Sequence, residues 1–380
     1  MRKHPWLGIG VCALVVSLIW FYWGTRHSEP QTVTIGVISP FSGSDANYGK
    51  MARTGIDLAV DQINAQGGIR GAKLVVQYED DRDEPKDAVS AFEKLGSTGK
   101  VPAVIGPFIS GNVLACAPVA EKRKVVLLTG SATSDNITNS GEYVFRVCPA
   151  NRIQGRSIAR FAYKQLGLKR CYVLYLNTEY GVTLRDYFTK AFRGMGGTVA
   201  GVEGIPDKAT DVRAQLTKAK ASSPDFIFAP VNHIEAEAIL RQAKELGVSC
   251  KIIGGDGAHV PDIIRVAGNA ADGSYWANFA WGNDTSIVER FREAYRKRYG
   301  EDPGLYSALY YDATHVLANA ILDAKDVTGP NVRRALTQQE FVGATGLTRF
   351  DANGDVDKDF GVDIVRDGRF VPVSTLNLPD

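Results

Sequence analysis

The sequence of 380 residues predicts an α/β protein of two lobes, each built on a parallel sheet covered on both faces. Two observations carry that expectation. From Thr32 onward, apolar runs of strand length alternate with stretches of helical period, the pattern of sheets whose strands are linked through helices. The strand-like runs also fall into two successive series of about five with similar spacing.

The first series begins near Val33, Leu74, Val101, Val125 and Val144, and the second near Cys171, Thr198, Phe226, Lys251 and Ser274. Between the first two runs lies a helix with the apolar face Tyr48, Met51, Ala52, Ile56, Ala59, Val60 and Ile63, closed by Gly67 and Gly68. Further helical patterns cover Ala88 to Leu95, Val113 to Ala120, Ile153 to Leu166, Leu184 to Met195, Val212 to Ala221 and Ile234 to Leu246. The last third breaks the alternation. Two long helical patterns, Ser286 to Tyr299 and Ser307 to Ala324, come together and are followed by strand-like runs at Thr348 to Phe350, Val362 to Val365 and Phe370 to Val373.

Residues 1–31 are a separate object. Arg2 and Lys3 precede a charge-free run from Leu7 to Trp23 that ends in Trp20-Phe21-Tyr22-Trp23, at the lower edge of a bilayer span and capped by an interfacial aromatic belt. Tyr22 spoils a small-x-small cleavage site ending at Gly24, and Val11 before Cys12 is a poor lipoprotein box. The preferred reading is an uncleaved membrane anchor with the body outside the cytoplasm; a removed signal peptide and a lipid-modified Cys12 are the alternatives. Without Arg2, Lys3, Arg26 and Glu29, basic and acidic residues are equal in number, and no basic patch points to nucleic acid.

In an open α/β sheet, guests bind beyond the carboxyl ends of strands. Two loops so placed are Gly106 to Asn112, with Ser110, and Thr129 to Asp135, with Ser131, Ala132 and Thr133; their hydroxyls, N–H groups and small residues suit an anion. From the second series, Glu179-Tyr180-Gly181 and Gly254-Gly255-Asp256-Gly257 offer an aromatic and a carboxylate able to face a cation. Ordinary capping and turn formation are the competing explanations.

Enzyme signatures fail. Ser110 has Phe108 two positions before it, so it is no nucleophile elbow; His233 lacks the second histidine of a zinc helix; and His315 reads as a satisfied packing residue. No metal, nucleotide or other cofactor is expected. Cys116, Cys148, Cys171 and Cys250 lack metal or redox spacing and read as separate packed thiols, while Asp351, Asn353 and Asp355 read as a turn, since Val356 stands where a calcium loop needs glycine.

The string Asp61-x-Ile63-Asn64-x-x-Gly67-Gly68-Ile69-x-Gly71-x-x-Leu74 resembles the signature of periplasmic binding proteins of the Leu/Ile/Val-binding family. Gly36 to Gly43 upstream, and Asp80-Asp81 with Pro85 to Val89 downstream, strengthen the resemblance, which runs from about Thr32 to the C-terminus. It implies the type I periplasmic binding protein fold, with two Rossmann-like lobes joined by a three-crossing hinge: residues 32–150 and 279–351 in lobe 1, and 151–278 and 352–380 in lobe 2.

By the same resemblance, Ser110, Ser131 and Thr133, with the neighbouring Ala132, match positions that hold an amino acid's carboxylate and part of its ammonium group. Asp256 matches the ammonium's counter-charge, though a longer Glu is common there, and Tyr180 an aromatic that closes over the ligand. Tyr48 stands in place of an indole, Asn232 or His233 in place of an aromatic, and Tyr306 matches an aromatic from the returning lobe. These more polar groups imply a pocket able to hydrogen-bond its guest, which departs from a purely aliphatic preference. The expected function is capture of a free amino acid and its delivery to an ABC permease. A membrane-tethered sensor using the same clamp is the alternative.

Overall fold

The computed structural model describes residues 32–375. The Leu7 to Trp23 segment lies outside the described residues. Among the described residues no helix is long and apolar enough to cross a membrane.

The first sheet has five strands in the order β2-β1-β3-β4-β5: β1 (Thr32–Ser39), β2 (Lys73–Asp80), β3 (Ala103–Ile105), β4 (Val126–Thr129) and β5 (Val144–Arg146). All are parallel, and β1 pairs with β2 in unbroken register from Thr32 opposite Lys73 to Ser39 opposite Asp80. Around them lie α1 (Ala46–Ala65), α2 (Pro85–Ser97) and α3 (Ser110–Arg123). The second sheet contains β6 (Arg170–Leu176), β7 (Thr198–Ile205), β8 (Phe226–Ala229), β9 (Lys251–Gly254) and β10 (Tyr275–Phe279), with α4 (Asn151–Arg160), α5 (Glu179–Gly194), α6 (Arg213–Ala221), α7 (His233–Glu245) and α8 (Pro261–Ala267). Every residue of β3, β4 and β8 is buried, which is why each reads as an unbroken apolar run.

The second sheet is mixed, where only parallel sheets are expected. Its order is β14-β13-β10-β9-β8-β6-β7, and β13 (Phe360–Arg366) and β14 (Arg369–Thr375) run antiparallel. A two-residue connection, Asp367-Gly368 with both φ angles positive, is too short for a parallel crossover and dictates a hairpin. A second hairpin pairs β11 (Phe341–Gly343) with β12 (Gly346–Thr348).

After β10 the chain forms α9 (Thr285–Tyr299), α10 (Leu305–Asp323) and α11 (Gly329–Leu336). Helix α10 packs on α1 so closely that a Cβ at Gly55 would lie 2.1 Å from the Ser307 carbonyl oxygen, so only glycine allows this contact. The chain then passes a turn in which Asp351 Oδ1 accepts from the Asn353 and Asp355 amides, at 2.8 and 2.9 Å. Here Asp355 meets Arg146 at 2.7 Å and Arg152 at 2.9 Å, and Arg146 also donates to the Ser134 carbonyl. The side chains of Arg146 and Asp355 are 1% and 4% exposed, so this is a buried ion pair. Burial opposes the Asp355 charge, but Arg146, Thr138 and Arg152 outweigh it and hold the carboxyl below its usual range.

The four cysteines within the described residues are free thiols, three of them buried. His315 stacks on Phe341 and meets Tyr311 edge-on as a packing residue, but it is not satisfied: Nε2 is buried without a hydrogen-bond partner among the described residues.

Candidate functional site

The loops after β3, β4, β6 and β9 converge between the two sheets, joined by the first turn of α10. Tyr48, Ser110, Ser131, Tyr180, Asn232, Asp256 and Tyr306 line one small cavity there, together with Phe108, Ile109 and Gly257. Its volume is about 20 Å³, room for roughly one water molecule. Larger hollows exist elsewhere, among them one of about 620 Å³ beside α9 and α10.

Asp256 opens a single 3₁₀ turn directly after β9 and is 2% exposed. Its Oδ1 accepts from Gln154 Nε2 at 2.5 Å and from the Tyr180 hydroxyl at 3.0 Å, while Oδ2 accepts from the Tyr306 hydroxyl at 3.2 Å. Burial pushes its carboxyl up; the Gln154, Tyr180 and Tyr306 hydrogen bonds work in the opposite direction. Of roughly four lone-pair directions on a carboxylate, side-chain donors take three. Glycine at 255 is what brings the carboxylate to the hydroxyl, since a Cβ there would stand 2.2 Å from the Tyr180 oxygen.

The opposite wall comes from the first sheet. Ser110 is the first residue of α3, which therefore begins three residues earlier than the pattern at Val113 suggests. The hydroxyl does not cap its helix but accepts from the Ser134 amide at 3.3 Å, fastening the two anion-suited loops together. Ser131 donates to the Phe108 carbonyl at 2.8 Å and lies 3.0 Å from the Tyr310 hydroxyl. Thr133 is 1% exposed, and its hydroxyl has no partner among the described residues. Neither Thr133 nor Ala132 lines the cavity as it stands; Ala132 instead accepts a hydrogen bond from the Cys148 thiol at 3.4 Å.

Tyr48 spans the two walls. From α1 its hydroxyl donates to the Gly257 carbonyl at 2.5 Å and accepts from the His233 amide at 3.4 Å. Its ring stacks on Phe108 at 4.7 Å and on His233 at 5.0 Å. Asn232 meets the cavity and His233 backs Tyr48, which divides between two residues the position left open between them. Phe108 in turn stacks on Tyr310 at 5.6 Å, making an apolar end to the cavity.

Sequence reasoning missed Gln154, Phe108, Ile109 and Gly257. The last three flank residues already singled out, whereas Gln154 sits in a polar stretch of α4 with no local signal; only the fold brings it to Asp256, 102 positions away.

Residues 32–366 match the family model described as "Periplasmic binding protein". Over 326 residues, 86% of this chain and 87% of the relative, the sequence is 29% identical to the leucine-, isoleucine-, valine-, threonine- and alanine-binding protein of Pseudomonas aeruginosa. Among solved structures, a leucine-binding protein from Thermotoga maritima is similar, with a TM-score of 0.86 and 33% identity, covering 91% of this chain and 99% of that one. A branched-chain amino acid transporter substrate-binding protein from Streptococcus pneumoniae, solved with isoleucine, gives a TM-score of 0.83 at 32% identity, covering 90% of this chain and all of the other. The chain therefore belongs to the periplasmic binding protein family, whose place is outside the cytoplasm.

Proposed function

We propose that this protein captures a free α-amino acid between its two sheets and hands it to an ABC-type permease. The observation that carries the reading is Asp256: a fully buried carboxylate that lines the cavity with three side-chain donors fixed around it. A cation is the guest that such a group lacks, because an isolated buried charge is costly. Across the cavity Ser110 and the start of α3 suit the guest's carboxylate, and the unpartnered Thr133 hydroxyl, off the cavity in this closed form, is the further donor that a wider cleft would offer. The two ends together fit a zwitterion.

A 20 Å³ cavity holds no amino acid, so the sheets part to admit one and close again over it. The division into 32–150 with 279–351 and 151–278 with 352–380 supplies the hinge, and Leu7 to Trp23 tethers the receptor beside its permease. The threonine- and alanine-binding named for the Pseudomonas relative supports a guest range that reaches beyond branched aliphatic side chains, in keeping with Asn232 and the Tyr48 and Tyr306 hydroxyls.

A thermal-shift panel of amino acids, short amides and aromatic acids tests the reading. A guest at a hundredfold excess over its Kd stabilises the fold by about 2.7 kcal/mol, which is a visible shift. A panel in which no amino acid shifts the transition while amides or aromatic acids do overturns it.

A further inference from the structure

Beside the amino-acid cavity, on the far side of Tyr48, the two halves meet through a second group of charges. Asp45, just before α1, and Asp83, in the turn after β2, come from the first sheet's half. Lys208, in the loop after β7, and Glu235 and His233, on α7, come from the second. Lys208 Nζ reaches across to Asp83 Oδ2 at 3.1 Å and to Asp45 Oδ2 at 3.7 Å, and His233 Nε2 lies 3.9 Å from Asp45 Oδ1. Glu235 is 1% exposed, and no side chain among the described residues pairs with its carboxyl oxygens, which have only the Glu235 and Lys208 amides near them. One ammonium thus serves Asp45 and Asp83 while Glu235 is buried beside them with none.

Such a group is not stable as a set of ionised carboxylates away from water. We propose that Glu235, with Asp83, forms a proton-binding latch, so that closure of the cleft takes up protons and the closed form gains as pH falls from 8 toward 6.5.

The surrounding groups support this sense. Burial pushes Glu235 up to about 7, with Asp207 and Asp45 adding to it and the Glu235 and Lys208 amides opposing. Burial and then Asp45 push Asp83 to about 7 against the pull of Lys208. Burial works against the Lys208 charge, but Asp83 and Asp45 outweigh it and keep the lysine protonated. Glu84 lies at the exposed rim, where water screens it; Asp207 also sits at the rim, but burial and Asp45 raise its carboxyl against the pull of Lys208, in the same sense as Glu235 and Asp83. Once the halves part, Glu235 and Asp83 meet water and return toward about 4. An acid with the higher pKa in the closed form stabilises that form at low pH, and the contribution is lost as pH rises through about 7. His233 runs the other way: burial lowers its pKa, with Asp45 and Asp262 opposing, so opening lets it take a proton, and its effect begins only below about 6.5.

The latch requires that the halves open and close, but not that the guest is an amino acid. Its test therefore uses the unliganded protein, with one dye on α2 and another on α6, and reads the closed-to-open ratio by energy transfer. Between pH 8 and 6.5 that ratio rises about fourfold for one carboxyl titrating near 7. Glu235→Gln, which mimics the protonated acid, raises the ratio at pH 8 and leaves only the Asp83 share of the rise. Asp83→Asn, on the half-buried side, also blunts the response and serves if the first variant does not fold. A ratio that ignores pH, a variant pair that keeps the full response, or a response that follows sodium or potassium instead of pH overturns the proposal. Failure of the amino-acid panel leaves this readout intact.

Discussion

Gln154 and Asp256 hold each other by two hydrogen bonds: the amide Nε2 donates to the carboxylate at 2.5 Å, and its Oε1 accepts from the Asp256 backbone N–H at 3.3 Å. Both groups are buried, so the bracket fixes the orientation of the carboxylate. On the proposed reading, a glutamine placed this way positions Asp256 for the guest's ammonium.

Gln154→Leu should therefore weaken amino-acid binding without unfolding the protein. Losing a hydrogen bond to a charged buried group costs about 1.5–3 kcal/mol, a Kd roughly 10- to 150-fold higher. With a donor gone, the Asp256 carboxyl rises further, so the pH below which binding fails should move upward. Calorimetric titration between pH 5 and 8 reads both effects; a uniform loss with an unmoved pH profile would indicate a packing role only.

Asp256→Asn removes the charge and keeps the shape. Leaving the guest's ammonium buried without its counter-charge should cost about 2–5 kcal/mol in affinity. Binding that survives intact, in a variant with native circular dichroism, would place the cation site elsewhere.

Much of this was legible in the sequence, and what was not has physical causes. Strands such as β8, buried throughout, announce themselves as apolar runs, and the ten strands of the two series lie where those runs fall. Three-residue strands such as β11 are too short to show alternation. Asp256, Tyr180 and Tyr306 were reached through short glycine-rich or aromatic strings at strand and helix ends. Gln154 was not, because a polar residue within a helix signals only solvent until its partner is known. The latch residues were equally silent: Glu235 reads as a surface helix residue, whereas the fold buries it.

Asp355→Ala should destabilise the fold far more than the loss of a surface pair would. It strands Arg146, whose side chain is 1% exposed, as an uncompensated buried charge, at about 3–5 kcal/mol. Denaturant unfolding measures it, and an effect below about 1 kcal/mol would show that water reaches Arg146.

His315 gives the fold an acid-sensitive term. Burial lowers its pKa to about 4, below the ordinary 6.5, so the unfolded chain binds the proton more readily. Its contribution is present above pH 6.5 and is lost as pH falls toward 4, amounting to about 3 kcal/mol. His315→Gln should flatten the fall in stability across that window. Parallel curves for the two proteins would show that the ring is hydrated.

The backbone contact at Gly55 makes α1 and α10 a single mechanical part. Tyr48 and Tyr306 stand in the opening turns of those two helices, with ring centroids 6.0 Å apart. On the proposed opening, the spacing between Tyr48 and Tyr306 stays fixed like the jaws of a calliper while the opposite half moves. Changes of guest during descent would be written in the side chains set on that calliper and in the loops it closes against, with its width inherited unchanged.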